Sequence, residues 1–268
     1  PYTPIKVPPT LNRGDKDFRD SSSHLTLNLT LSGVMAKSSN IGTILAAERI
    51  GGKKLSKYLK KFGIGQPTGL GFPGETSGFV PEYKDWSPTS FPTIAFGQGL
   101  SVNAVQVTSV FSTIANDGLR VEPSLVKAIV HEDGSIEEPK APETTRVVSR
   151  DTAKQVRAML ESVVGEGGTA TNARIPGYRV GGKTGTAQVV DARTGGYSNQ
   201  VIASFVGMAP ADNPQLVVGV FVSQPQSGRY GGELGAPVFK KVSSYALGAL
   251  EIPPTGSKAP KLALTFGG

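Results

Sequence analysis

The chain has 268 residues, 38% of them hydrophobic, and a formal net charge of +7 from 28 basic and 21 acidic side chains. That is enough apolar material to build a sizeable core in one large domain or two small ones, and it excludes a disordered chain. Cysteine is absent, which excludes disulfides, thiolate metal sites and cysteine nucleophiles, and no apolar run reaches the roughly eighteen residues that a membrane span requires.

The sequence opens on PYTPIKVPPT, with no initiator Met, basic-then-apolar leader or cleavage site, so it reads as a mature product or as a chain whose upstream part has been removed. Residues 1–25, Pro-rich and polar, read as an irregular lead-in. A helical region follows over 26–118. In LTLSGVMAKSSNIGTILAAERIGG the apolar residues recur three and four apart on each side of a polar break at Lys37–Asn40. In the next helix Leu55, Tyr58, Leu59 and Phe62 interleave with Lys53, Lys54, Lys57, Lys60 and Lys61. The lysines form its wet face, with a surface for anionic lipid or polymer as the alternative; nucleic acid is disfavoured because no recognition motif accompanies the charge. Residues 65–99, rich in Gly and Pro, read as an ordered loop or short hairpin in which Trp86 packs.

A helix with Leu100, Ala104, Val107, Phe111 and Ile114 inward is expected to stop at NDG. Residues 119–148 read as a rim hairpin turning at EDG. Ser149 caps the next helix, with Ala153, Val156, Met159, Leu160 and Val163 inward and Gly165 at its end. Antiparallel strands are predicted over 178–190, 201–209 and 215–223. A last helix is expected to begin with Pro237 in its first turn and to bury Phe239, Val242, Ala246 and Leu250. Residues 251–268 read as a loose tail. The predicted class is α/β (α+β), an antiparallel sheet flanked by helices plus a mostly helical subdomain.

The chemistry concentrates in two stretches. In GGKTGTAQVV, Lys183 supplies a fixed charge at a strand start. Thr184 and Thr186 offer hydroxyls to a carboxylate, and Gly185 admits a substrate backbone. An open strand edge there can pair with an extended peptide, although a lysine on a surface strand explains the same residues. In KSSN, Ser38 and Asn40 present a proton carrier and a dual donor–acceptor from the break between two helices, although helix capping explains the same residues. Ser101-Val102-Asn103 and Arg193-Thr194-Gly195 imitate the two motifs. The two histidines, His24 and His131, lie in turn-like polar stretches, which argues against a His-based zinc site or a Ser-His-Asp triad.

S-x-N between helices, then GQG before a helix, then K-T-G-T opening a strand resembles the serine acyl-transfer group of penicillin-binding proteins and class A β-lactamases. VMAKSSNIGT, YLKKFGIGQPTGLGFPGETSG, AFGQGLSVNAVQ, IANDGLRVEP, GYRVGGKTGTAQ, FVGMAPADNP and YGGELGAPVF, in that order, resemble the transpeptidase domain of a class B penicillin-binding protein, nearest to the cell-division (septal) type. The resemblance runs from about residue 28 to about residue 250. One departure is SVNAVQ, where many relatives carry Thr-Pro.

The resemblance implies a β-lactamase/transpeptidase-like fold over 26–250, here an incomplete domain. It also implies acyl transfer on the D-Ala-D-Ala stem peptide of peptidoglycan with no cofactor or metal. Ser38 would relay a proton to the leaving amine, and Asn40 would hold the substrate amide. Lys183 would lower the cost of charge near Ser38. Thr184 and Thr186 would bind the terminal carboxylate, with the Thr186 N–H as half of an oxyanion hole. β-Lactam antibiotics and cell-division proteins are the further partners implied. The location would be the extracytoplasmic face of the cell membrane, through an anchor absent from this sequence.

The family's attacking serine, in S-x-x-K upstream of S-x-N, has no counterpart here. The only S-x-x-K is Ser124-Leu125-Val126-Lys127, which follows S-x-N in a segment read as β-structure. The nucleophile is therefore expected from a missing upstream segment that also holds strands and the central helix. The 268 residues alone are expected to be inactive and marginally folded. A carboxypeptidase, β-lactamase or β-lactam sensor domain, or a non-catalytic assembly module, remains the alternative. For a hydrolase, Glu75 is the candidate that activates water.

Overall fold

The computed structural model describes residues 1–191 and 193–267. The amino-terminal segment is not irregular. Strand β1 (Pro4–Val7) pairs antiparallel with β4 (Leu27–Thr30), and β2 (Leu11–Arg13) forms a hairpin with β3 (Lys16–Phe18). Alternation in PIKV carries Ile5 and Val7 inward, where they join Leu11, Phe18, Leu29, Val34, Ile41 and Ile44 in one apolar cluster. Proline content masked this pattern: Pro4 opens its strand and Pro8 follows it, the positions a strand tolerates.

Helix α1 (Leu31–Lys37) is capped by Thr30, whose side chain accepts from the Gly33 N–H, and α2 (Asn40–Glu48) is capped by Ser39. Amphipathic α3 (Gly52–Lys61) keeps its lysines outward, and Lys60 pairs with Glu82 at 2.8 Å. The 65–99 stretch holds the short α4 (Ser90–Ala95); Trp86 stacks on Phe91 and donates its indole N–H to Pro81 O. Helix α5 (Ala104–Ala115) starts later than the apolar spacing suggested, because Asn103 and Gln106 form a reciprocal capping box that leaves Leu100 outside.

In the rim segment β5 (Leu119–Val121) pairs with β8 (Thr144–Arg146), and β6 (Ile129–Val130) with β7 (Ile136–Glu137). Helix α6 (Arg150–Val164) follows its Ser149 cap. Besides its apolar stripe it buries Arg157 and Glu161, each paired with a charge from another element.

The central sheet runs β11-β10-β9, all antiparallel, from β9 (Gly181–Val190), β10 (Tyr197–Ala209) and β11 (Leu216–Ser223). Helix α7 (Gly231–Ala249) packs on it, with Phe239 edge-on to Phe205 at 5.0 Å between centroids. The helix begins earlier than expected and holds Pro237 inside it. Its buried face is Ala236, Phe239, Ser243 and Leu247, whereas Val242 and Leu250 are exposed. The reason is close approach: a Cβ at Gly231 would lie 1.8 Å from Ser204 O and one at Gly232 2.0 Å from Thr169 O. A sequence reading that treats glycine as a helix breaker starts this helix too late.

The tail is also pinned. Thr255 and Ser257 hydroxyls bond Asp212, and the Ala263–Phe266 stretch lies beside β4: Thr30 Oγ1 donates to Ala263 O at 2.6 Å, Thr30 N to Leu264 O at 3.0 Å and Phe266 N to Asn28 O at 3.1 Å. Among the described residues no helix is long and apolar enough to cross a membrane.

Candidate active site

The site forms where α1 stops. Ser38 adopts the left-handed conformation, φ 55° and ψ 43°, which turns the chain out of α1 and leaves Ser39 to cap α2. A non-glycine residue there costs about 1–2 kcal/mol, so the surroundings must hold it. Its hydroxyl faces β9, where Lys183 Nζ donates to Ser38 Oγ at 2.6 Å. Lys183 also donates to Thr184 O at 3.0 Å, and Thr184 Oγ1 lies 2.9 Å from Thr169 Oγ1. Burial of Lys183 without a carboxylate partner lowers its pKa from 10.5 to about 8.

Asn40, at the first turn of α2, donates its side-chain amide to Arg19 O at 3.1 Å. Ser38, Asn40, Lys183, Thr184, Gly185 and Thr186 all line one cleft of about 1270 Å³. Two segments 145 residues apart are thereby joined. β9 is an edge strand of its sheet, so its outer backbone edge faces no further strand among the described residues. Gly185 serves the sheet as much as the cleft, since a Cβ there would lie 2.5 Å from Ser204 Oγ.

The imitators lie elsewhere. Asn103 caps α5, and Ser101 bridges to Phe79. Ser124 bonds Val126 O in an exposed loop, and Arg193 sits in an exposed turn on Asp191. Glu75 accepts from Thr68 N at 2.9 Å and from Asn103 Nδ2 at 3.2 Å, outside the cleft lining. Among the described residues no group of three or more His, Asp or Glu is placed to hold a metal ion. Lys37 and Thr169 also line the cleft. Sequence reading missed both: Lys37 adjoins a motif without belonging to it, and Thr169 follows a glycine-rich helix end.

A family model described as the penicillin binding protein transpeptidase domain matches residues 1–244. The chain belongs to that family. This transpeptidase domain is 38% identical to penicillin-binding protein PbpB of Mycolicibacterium smegmatis over 269 residues, 97% of the chain and 42% of the relative. It is 39% identical to Stage V sporulation protein D of Bacillus subtilis over 232 residues, 85% of the chain and 35% of the relative. It superposes on penicillin binding protein 3 of Mycobacterium tuberculosis, solved with ampicillin, with a TM-score of 0.93 and 37% identity, over 100% of this chain and 61% of that one. The domain is a class B, septal-type member with the β-lactamase/transpeptidase fold. It spans about two fifths of the length of the PbpB relatives.

Proposed function

We propose that this domain takes part in D,D-transpeptidation of peptidoglycan through a serine acyl-enzyme. The observation that carries the reading is the 2.6 Å contact between Lys183 and Ser38 in a cleft bounded by an edge strand. The one S-x-x-K in the chain, Ser124–Lys127, lies in an exposed loop, and on this reading the attacking serine is supplied from outside the 268 residues. The cleft wall formed by Leu59, Ile94, Phe96, Val107, Val110 and Phe111 is apolar and suits the flank of a helix carrying it.

The stem peptide lies along β9 as an added strand, its terminal carboxylate on Thr184 and Thr186 and its amide on Asn40. Attack on the penultimate D-Ala carbonyl forms the acyl-enzyme and breaks the bond to the terminal D-Ala. Because Lys183 donates into Ser38 Oγ, the Ser38 hydrogen is free to go to the departing amine. An amine from a neighbouring stem then takes the acyl group. The Thr186 N–H supports the oxyanion, a contribution of about 2.7–4 kcal/mol for one donor. Glu75 is committed to its loop and serves no hydrolytic water.

β-Lactams acylate the same serine, cell-division proteins are partners, and the domain works on the extracytoplasmic side of a membrane to which its full-length protein is anchored. The test is acylation of the full-length gene product by a fluorescent penicillin. A stoichiometric, slowly released adduct is expected. Its rate of formation should fall as pH rises through about 8, where Lys183 loses its proton. Absence of an adduct, or fast steady hydrolysis of a chromogenic cephalosporin, overturns the reading.

A further inference from the structure

The S-S-N turn is held from below by a segment outside both motifs. After β3 the chain passes beneath the junction of α1 and α2. There the Asp20 carboxylate accepts from Ser39 Oγ at 2.7 Å through Oδ2 and from Ile41 N at 2.9 Å through Oδ1. Arg19 O takes the Asn40 amide at 3.1 Å. Ser39, Asn40 and Ile41 are thus each tied to Arg19 or Asp20. Ser39, 2% exposed, has no freedom to turn away: its Oγ also accepts from Gly42 N at 2.9 Å.

Asp20 is itself held. His24 Nε2 lies 3.1 Å from Asp20 Oδ2, and His24 Nδ1 lies 2.6 Å from Leu25 O. Both ring nitrogens face oxygen atoms, so the ring is fixed between Asp20 and the Leu25 carbonyl. The pair is largely buried, with side chains 13% and 9% exposed for His24 and Asp20. A buried carboxylate with these donors is fully committed, and removing it leaves Ser39 Oγ–H and Ile41 N–H unpaired.

We propose that Asp20, braced by His24, is a positioning residue that fixes Ser38 Oγ against Lys183. This rests on the reading of Ser38 as the proton relay given above. The residue adjoining Ser38 is fixed by Asp20 in side chain, and the start of α2 in backbone, so the strained torsion at Ser38 has one arrangement available. Without the carboxylate the turn relaxes, and a displacement of about 1 Å at a catalytic group costs on the order of 100-fold in rate.

The test uses the full-length protein and a fluorescent penicillin in stopped flow, separating the encounter dissociation constant from the first-order acylation step. Asp20→Ala is expected to slow acylation about 10- to 100-fold while the encounter constant stays near wild type. Asp20→Asn, which keeps the shape and one acceptor oxygen, is expected to recover part of the loss. A folded Asp20→Ala protein that acylates at the wild-type rate overturns the proposal. If Asp20→Ala does not fold, Asp20→Asn decides: slowed acylation with an unchanged encounter constant supports the proposal, and a wild-type rate overturns it. A wild-type protein that takes no penicillin removes the proposed function and this inference together, an outcome distinct from failure of the brace alone.

Discussion

Lys183 should make the protein less stable at neutral pH than a neutral residue of the same length would. Its pKa falls from 10.5 to about 8 because burial disfavours the charged form. That gap corresponds to roughly 3 kcal/mol of folding free energy spent on keeping the ammonium in the cleft. Lys183→Met keeps the apolar stem and removes the charge, but it forfeits the hydrogen bonds to Ser38 and Thr184, each worth about 1 kcal/mol net. A stabilisation of about 1 kcal/mol remains at pH near 6.5, or about 2–4 °C in the thermal midpoint. The sign with pH follows from proton counting. Between about 8 and 10.5 the unfolded chain holds the proton and the folded one does not, so wild-type stability rises there relative to the variant. The variant's advantage is complete below about pH 8, is lost within roughly one pH unit above it, and has reversed to a deficit of about 2 kcal/mol by about pH 10.5. Thermal unfolding of both proteins across that range is the assay, with penicillin acylation as the control for lost function. A Met variant that is less stable at pH near 6.5, or a difference that does not change with pH, would refute burial as the cause of the shift.

Glu161→Ala should destabilise by about 3–5 kcal/mol in denaturant titration, because it strips the bidentate partner from Arg179, whose contacts are 2.7 and 2.9 Å. Glu161→Gln should cost less. Gly33→Ala should also destabilise, by more than about 2 kcal/mol, since the new Cβ would come within 1.9 Å of Leu264 O. Faster amide exchange at Thr30 and Phe266 would report the displaced tail; an unchanged midpoint would mean that the tail does not bear on α1.

The two motifs were legible because their chemistry restricts residue type. An amine, hydroxyls and a carboxamide at these spacings have few common structural explanations once they occur in that order, and the cleft gathers all of them. The sheet and α6 were legible because short turns and a serine cap leave little choice of partner or start. Elsewhere tertiary contacts overrode local preference. Gly231 and Gly232 sit in a helix because Ser204 O and Thr169 O leave no space for a Cβ. Arg157 and Glu161 sit inward on α6 because Asp117 and Arg179 meet them there.

The segments that the sequence presents as lead-in and tail failed for a different physical reason. Much of what they give the site comes from backbone carbonyls, which any residue type supplies. Arg19 O holds Asn40, while Ala263 O and Leu264 O hold Thr30, the cap of the helix that ends in Ser38. A strained turn at Ser38 is stable only if both its flanks are fixed. One flank is tied by residues 19–24 and the other by residues 263–266. The same tail bonds Asp212 through Thr255 and Ser257, and Asp212 lies 3.7 Å from Arg179 in the half of the molecule that carries Lys183. Apart from the side chains of Asp20, His24, Thr255 and Ser257, the ties that set the separation of Ser38 from Lys183 carry almost no residue signature, and substitutions elsewhere in these stretches that leave the backbone path intact should leave the contact intact too.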